Sequence, residues 1–317
     1  MTAAFAHGMM FHHFHGGVHV PSQGSLSAAG FRAMIEWLGR DRFLPAREWV
    51  DRAVAGTLPA GSLCLTFDDN LRCQYDVAWP VMREMGLTGL FFAMTNVVEG
   101  EVNRLEIYRH FRHAGFDSVD AFYGAFHKAV AASPFGPEVA ARLPALDAEN
   151  AWPEFPVYTP ADRVFRVVRD VVLGQERYEQ VMDLMLADAG VDFTGLAPLL
   201  WMDRAMLRDL HDAGNLIGLH SHTHPMRLGL LAPERQAEEY GRNAEIIAAI
   251  TGERPTTMSH PANDYDDNTL VVLRRLGVVH GMRANMALHP YSELEWPRED
   301  HGKIAADMRA AGIALPA

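Results

Sequence analysis

Two short apolar runs that stop abruptly at ligand-type residues constrain this chain more than any other feature. Residues Ser62 to Asn70 read Ser-Leu-Cys-Leu-Thr-Phe-Asp-Asp-Asn, and Leu216 to Pro225 read Leu-Ile-Gly-Leu-His-Ser-His-Thr-His-Pro. A strand buried on both faces in a parallel sheet is written as a continuous apolar run, not as an alternation. In parallel α/β folds the working side chains sit just past the carboxyl ends of the strands, where loops meet solvent. Neighbouring residues of an extended segment point opposite ways, so Asp68 and Asp69 can be aimed at two different tasks. Alone, such a pair suits a helix cap or a solvated turn better. His220, His222 and His224, crowded into five positions, change that balance. Neutral imidazoles this close are an ordinary way to hold a divalent cation, and one carboxylate completes the set.

Thr-Phe-Asp-Asp at 66–69, followed by His-Ser-His-Thr-His at 220–224, resembles the first two motifs of the polysaccharide deacetylases, carbohydrate esterase family four. The resemblance runs from about Met10 to Asp300 with one long unmatched stretch. It implies an α/β fold: a distorted (β/α) barrel of the polysaccharide deacetylase type with an inserted, mainly helical cap. It also implies that Asp69, His220 and His224 ligate a divalent metal ion, with zinc the first choice. Asp68 would then be the general base and His222 would point away.

The family's third motif, Arg-x-Pro-Tyr-Gly, should fall at Thr256 to Tyr265. Pro261 is in register there, but Ser259 stands at the arginine position and Ala262 at the aromatic one. The backbone N–H near Ala262 is the expected oxyanion donor. Leu294 to Asp300 resembles a Leu-Pro-Arg-x-Asp segment, which implies that Arg298 holds the catalytic carboxylate in place of the lost arginine. Read without the resemblance, Arg298 is a surface ion-pair residue leading into a last helix, Ile304 to Ala311. For the general acid, Leu288-His289 approximates the family's Leu-x-His motif, and His12 and His301 compete with it.

The flanking chain repeats a strand–helix rhythm. Met9 to His15 reads as a strand ending in histidines, and Phe31, Met34, Ile35 and Leu38 fall at helical spacing behind a Ser27 cap. Pro45–Ala55 and Tyr75–Met85 read as further helices, with Pro80 expected to kink the second unless it lies in the first turn. Thr88–Met94 is another strand, and Pro233–Ile250 a long helix. Strand, helix, strand at short intervals indicates parallel crossovers. From Glu101 to Leu200 the rhythm is lost and helices dominate, with a Pro-bearing break at Ala151–Pro156. That is too long for a bare loop. The expected organisation is therefore a barrel from 1–100 and 201–317, interrupted by a helical cap at 101–200, with a dimerisation surface as the alternative use of the insertion.

A net charge of −12 over 317 residues argues against a basic nucleic-acid footprint. No apolar stretch approaches the roughly 20 residues of a membrane span. The N-terminus lacks a basic start and a sustained apolar core, so the expected location is cytoplasmic. Cys64 reads as a core residue, and with Cys73 just after it the two cysteines resemble neither a disulfide framework nor a Cys-x-x-Cys metal site. The resemblance implies a hydrolase removing an N-acetyl group from an amino sugar or saccharide, and the lack of an export signal points to a cytosolic intermediate of surface polysaccharide synthesis as the substrate. The alternatives are hydrolysis of cyclic amides or other C–N bonds, and a catalytically inactive saccharide-binding protein. Homo-oligomerisation is left open.

Overall fold

Both-face burial explains why the strands are so apolar. All residues of β1 (His7–Phe11), β2 (Leu63–Phe67) and β3 (Gly89–Ala93) are buried in the computed structural model. The structure describes residues 5–151, 159–287 and 292–316. The expected break at 152–156 and the candidate His289 lie outside the described residues. β4 (Leu216–Leu219), β5 (Thr257–Ser259), β6 (His280–Met282) and β7 (Arg298–Asp300) complete one parallel sheet in the order β6-β5-β4-β3-β2-β1-β7. Trp296, just ahead of β7, bridges back to Met282 of β6, with its N–H donating to the Gly281 oxygen at 2.8 Å. The sheet is thus a nearly closed (β/α) barrel.

The chain divides into two compact units, Met1–Glu101 with Ala197–Ala317, and Val102–Leu196. In the barrel unit, Ser27 caps the helix Ala28–Leu38 through the Gly30 N–H, and Asp203 caps Arg204–Asp212 through Met206. These oxygens satisfy amide donors left open in a first helical turn. Gly214, at φ +91°, ends the latter run. Pro80 falls in the first turn of a six-residue α-helix, Trp79–Glu84, preceded by a π-helical turn over Gln74–Ala78. The wider turn accommodates a ring that cannot donate a backbone hydrogen bond. Phe11, Phe67 and Phe91 stack through the barrel wall, with Phe67 and Phe91 centroids 4.5 Å apart and Phe31 edge-on to Phe11 and Phe67.

The second unit has its own aromatic core. Helices Arg104–Ala114, Val119–Ala132, Pro160–Arg166 and Gly174–Asp188 bury Tyr108, Phe122, Phe126, Phe165 and Tyr178. The helix Pro160–Arg166 runs on into π-helical winding at Val167–Leu173. Gly136–Arg142 and Phe193–Leu200 are further helices. The last helix begins at His301, not Ile304, with Asp300 capping Gly302.

Two buried histidines make the barrel acid-sensitive. His280 has no partner for either ring nitrogen among the described residues and lies 5.7 Å from the Trp296 ring. Burial lowers its pKa to about 3, and burial likewise lowers that of His260 to about 4, against the Leu294 carbonyl bond that opposes it. Both rings stay neutral in the fold, whereas the unfolded chain takes up their protons below about pH 6.5. Stability is therefore complete above that pH and falls as pH drops towards 4, by up to roughly 1.4 kcal/mol per pH unit for each ring. Urea unfolding of a His280→Leu variant across pH 7 to 4.5 should show a visibly shallower decline than the parent; an unchanged slope would count against this assignment.

Candidate active site and metal centre

The site assembles where the sequence patterns end. β2 stops at Phe67, and the next residues turn sharply: Asp69 and Asn70 adopt φ +75° and +57°. The loop after β4 does the same at Ser221 and His224, at +59° and +56°. Left-handed backbone costs a non-glycine residue roughly 1–2 kcal/mol. Here it aims consecutive side chains in directions an extended chain cannot reach.

Those turns bring Asp69, His220 and His224 together. One Asp69 oxygen lies 3.1 Å from His220 Nε2 and 3.3 Å from His224 Nε2. The three potential donor atoms fall within 4.8 Å of one another. One carboxylate oxygen and two imidazole nitrogens suit a divalent ion of borderline softness. His220 Nδ1 faces the Ser259 carbonyl at 3.0 Å, which orients the ring with Nε2 turned to Asp69. Burial alone would raise the Asp69 pKa, but the hydrogen bond from His220 and the charges of His224, His12 and His220 hold it well below the usual carboxylate range. Burial lowers the His224 pKa, with the Asp69 charge opposing it.

Asp68 faces a different partner. Arg298 Nη1 and Nη2 donate to its two carboxylate oxygens, each at 2.7 Å. Both residues are buried, so Arg298 is no surface ion-pair residue. Burial would raise the Asp68 pKa; the charges of Arg298 and His220, the Arg298 hydrogen bond and His12 outweigh it and keep the group ionised. Arg298 is itself saturated. Nε donates to the Arg283 carbonyl, Nη1 also to Thr66 Oγ1 and Nη2 also to Ser259 Oγ. The guanidinium lies 5.6 Å from the Phe92 ring centroid.

The other candidates separate clearly. His12 Nε2 stands 3.9 Å from Asp68 and 3.8 Å from Asp69, with its side chain 29% exposed, so it borders both carboxylates and solvent. His301 is engaged elsewhere, its ring nitrogens against the Met10 and Gly24 carbonyls. His222 bonds to Thr95 Oγ1 through Nδ1. Ala262 takes φ +51° in the turn after β5.

Several supporting residues escaped the sequence reading. Buried Glu239 accepts from the His222 and Thr223 amides and the Thr223 hydroxyl, and Asn243 accepts from the His220 amide. Gln236, Glu239 and Asn243 lie on the buried face of the helix Pro233–Thr251. Polar residues at that spacing on an apolar face were the available signal. Gln74 ties the Asp68 and His12 carbonyls together from the turn after β2.

A buried pair leaves an uncompensated charge when one member is removed. Arg298→Met should therefore destabilise the protein by about 3–5 kcal/mol in urea unfolding. Adding Asp68→Leu should recover part of that loss, and a double variant no more stable than the single would contradict the pairing.

Residues 170–281 match the family model described as Polysaccharide deacetylase. No curated protein matches the chain. Among solved structures, the chain is similar to IcaB from Ammonifex degensii, with TM-score 0.56, 14% identity and 98% of this chain aligned to 97% of that one. It is similar to the Streptococcus pyogenes deacetylase PplD in complex with acetate, at TM-score 0.54 and 14% identity over 94% and 93% of the two chains. The BpsB deacetylase domain from Bordetella bronchiseptica gives TM-score 0.51 and 15% identity over 93% and 94%. The family match takes in His220 and His224 and stops short of Asp68 and Asp69 on one side and Arg298 on the other. The resemblance read from the motifs therefore holds at two levels: the chain has the polysaccharide deacetylase barrel fold, and over residues 170–281 it carries that family's sequence pattern.

Proposed function

We infer that this protein is a metal-dependent hydrolase that removes an N-acetyl group from an amino sugar or saccharide. The observation that carries the reading is the adjacency of two unlike carboxylates. Asp69 converges with two imidazoles, while Asp68, one residue away, is held ionised by a buried arginine. The family match and the fold supply the substrate class.

Asp69, His220 and His224 would hold the divalent ion, and zinc suits a donor set of one oxygen and two nitrogens. When bound, that ion supplies Lewis acidity towards the amide carbonyl and lowers the pKa of water. The chain's own groups do the rest. Asp68 accepts the proton of the attacking water, and its pairing with Arg298 keeps the carboxylate from turning away. The Ala262 N–H is the donor proposed for the oxygen that gains charge as the carbonyl is attacked. His12, between both carboxylates and solvent, would protonate the departing amine; His289 has the same proposed role on sequence grounds. The saccharide would be a cytosolic intermediate of surface polysaccharide synthesis, and the buried Cys64 and Cys73, held as thiols, suit a reducing compartment.

The test is acetate release from N-acetylated glucosamine oligosaccharides, with ring opening of cyclic amides measured alongside. Chelation should abolish release and added zinc should restore it. Asp68→Asn should lower kcat by about 10²–10⁴ with zinc still bound, and His12→Asn should lower it with little change in zinc content. Full acetate release by metal-stripped protein, or wild-type turnover by Asp68→Asn, would overturn the reading.

A further inference from the structure

Ser259 occupies the position where the resemblance places an arginine, and it is fully buried. Its hydroxyl stands between the two members of the buried pair. Oγ accepts from Arg298 Nη2 at 2.6 Å and donates to Asp68 Oδ2 at 3.3 Å. A hydroxyl has one proton to give and lone pairs to receive, so both bonds form at once. The backbone of the same residue serves the other half of the site, since its carbonyl accepts from His220 Nδ1 at 3.0 Å.

The arginine is restrained at its other end as well. Gly8 of β1 pairs with Arg298 of β7. A Cβ at Gly8 would lie 2.9 Å from Arg298 Cγ and 3.2 Å from Met282 Sδ. That contact is with the stem of a side chain whose head is already bonded to Thr66, Asp68 and Ser259, so it has little freedom to retreat. The arginine thus enters through a slot that only glycine leaves open, and Ser259 stops its head from rotating.

We propose that Ser259 is a positioning residue that holds the Asp68–Arg298 pair through its side chain while holding His220 through its carbonyl. This rests on the reading of Asp68 as the base. Because the two functions use different atoms, they can be separated. Removing the hydroxyl loosens the base and leaves the metal ligand anchored.

The experiment compares full-length, zinc-loaded Ser259→Ala, Ser259→Thr and Gly8→Ala with the parent in three measurements. These are steady-state deacetylation, zinc affinity by competition with a chromogenic chelator, and the ¹⁵N NMR signals of the Arg298 guanidinium. Ser259→Ala should lose about tenfold to a hundredfold in kcat, with KM and zinc affinity unchanged. Its guanidinium N–H signals should broaden as rotation is freed, and Ser259→Thr should restore both kcat and spectrum. Gly8→Ala, which displaces the arginine from its other end, should copy Ser259→Ala and supplies the test if that variant does not fold. Zinc affinity falling in step with kcat, or an unchanged guanidinium spectrum in Ser259→Ala, would overturn the proposal. The spectrum and the zinc titration need no turnover, so they decide this point even if the parent releases no acetate.

Discussion

The buried ion pair between Arg298 and Asp68 is the constraint around which the barrel is arranged. Withdrawing two charges from water costs several kcal/mol for each, and the cost is offset only when every remaining donor and acceptor is used. Arg298 meets that condition. Its five N–H groups reach five acceptors: the Arg283 carbonyl, Thr66 Oγ1, Ser259 Oγ and both oxygens of Asp68. Those partners come from β2, β5 and the segment after β6, while the arginine starts β7. A strand reading Arg-Glu-Asp would be a poor member of a buried sheet by propensity. It belongs there because its first side chain reaches into the barrel and is neutralised.

Two adjacent aspartates acquire different chemistry from that arrangement. Asp68 has its charge balanced by an arginine that cannot be deprotonated. Asp69 has only imidazoles and so retains capacity for a cation. A divalent ion at Asp69 would add to the guanidinium at Asp68 in favouring the ionised form of the carboxylate between them. On the proposed reading, the base would stay available beside the group that activates its water, and neither would have to share its counter-charge with the other.

Much of this was legible in the sequence because it depended on local pattern. Runs such as Leu-Cys-Leu-Thr-Phe ending in Asp-Asp, and Leu-Ile-Gly-Leu ending in His-Ser-His-Thr-His, marked both the strands and the ends that matter. The three-residue strands β5, β6 and β7 did not show, because three residues carry no period. Ser259 lay in plain view as a missing arginine, but its use depends on a guanidinium arriving from 39 positions away. Glu239 and Asn243 announced themselves only as polar residues on a buried helical face. The loop they hold is separate in sequence, so their targets needed coordinates. His301 shows the opposite case: a histidine near the site's own chain segment that two backbone carbonyls occupy.

The backbone strain is distributed in a way that follows the same logic. Among the described residues, seven non-glycine positions have positive φ, and all but Asp147 lie in the loops that follow β2, β4 and β5. Asp69, Asn70 and Asn263 belong to the types that tolerate this region best. Ser221, His224 and Ala262 do not, so other bonds must over-determine them. The Ser221 hydroxyl accepts the His224 amide, Glu239 takes the two amides between them, and Asn263 accepts from Ala284 across to the segment after β6. Each of these side chains satisfies a backbone donor that the sharp turn removed from any sheet ladder. The loops thus hold their strained shape by hydrogen bonds internal to the barrel unit, and the same bonds fix the segments that carry Asp69, His220 and His224.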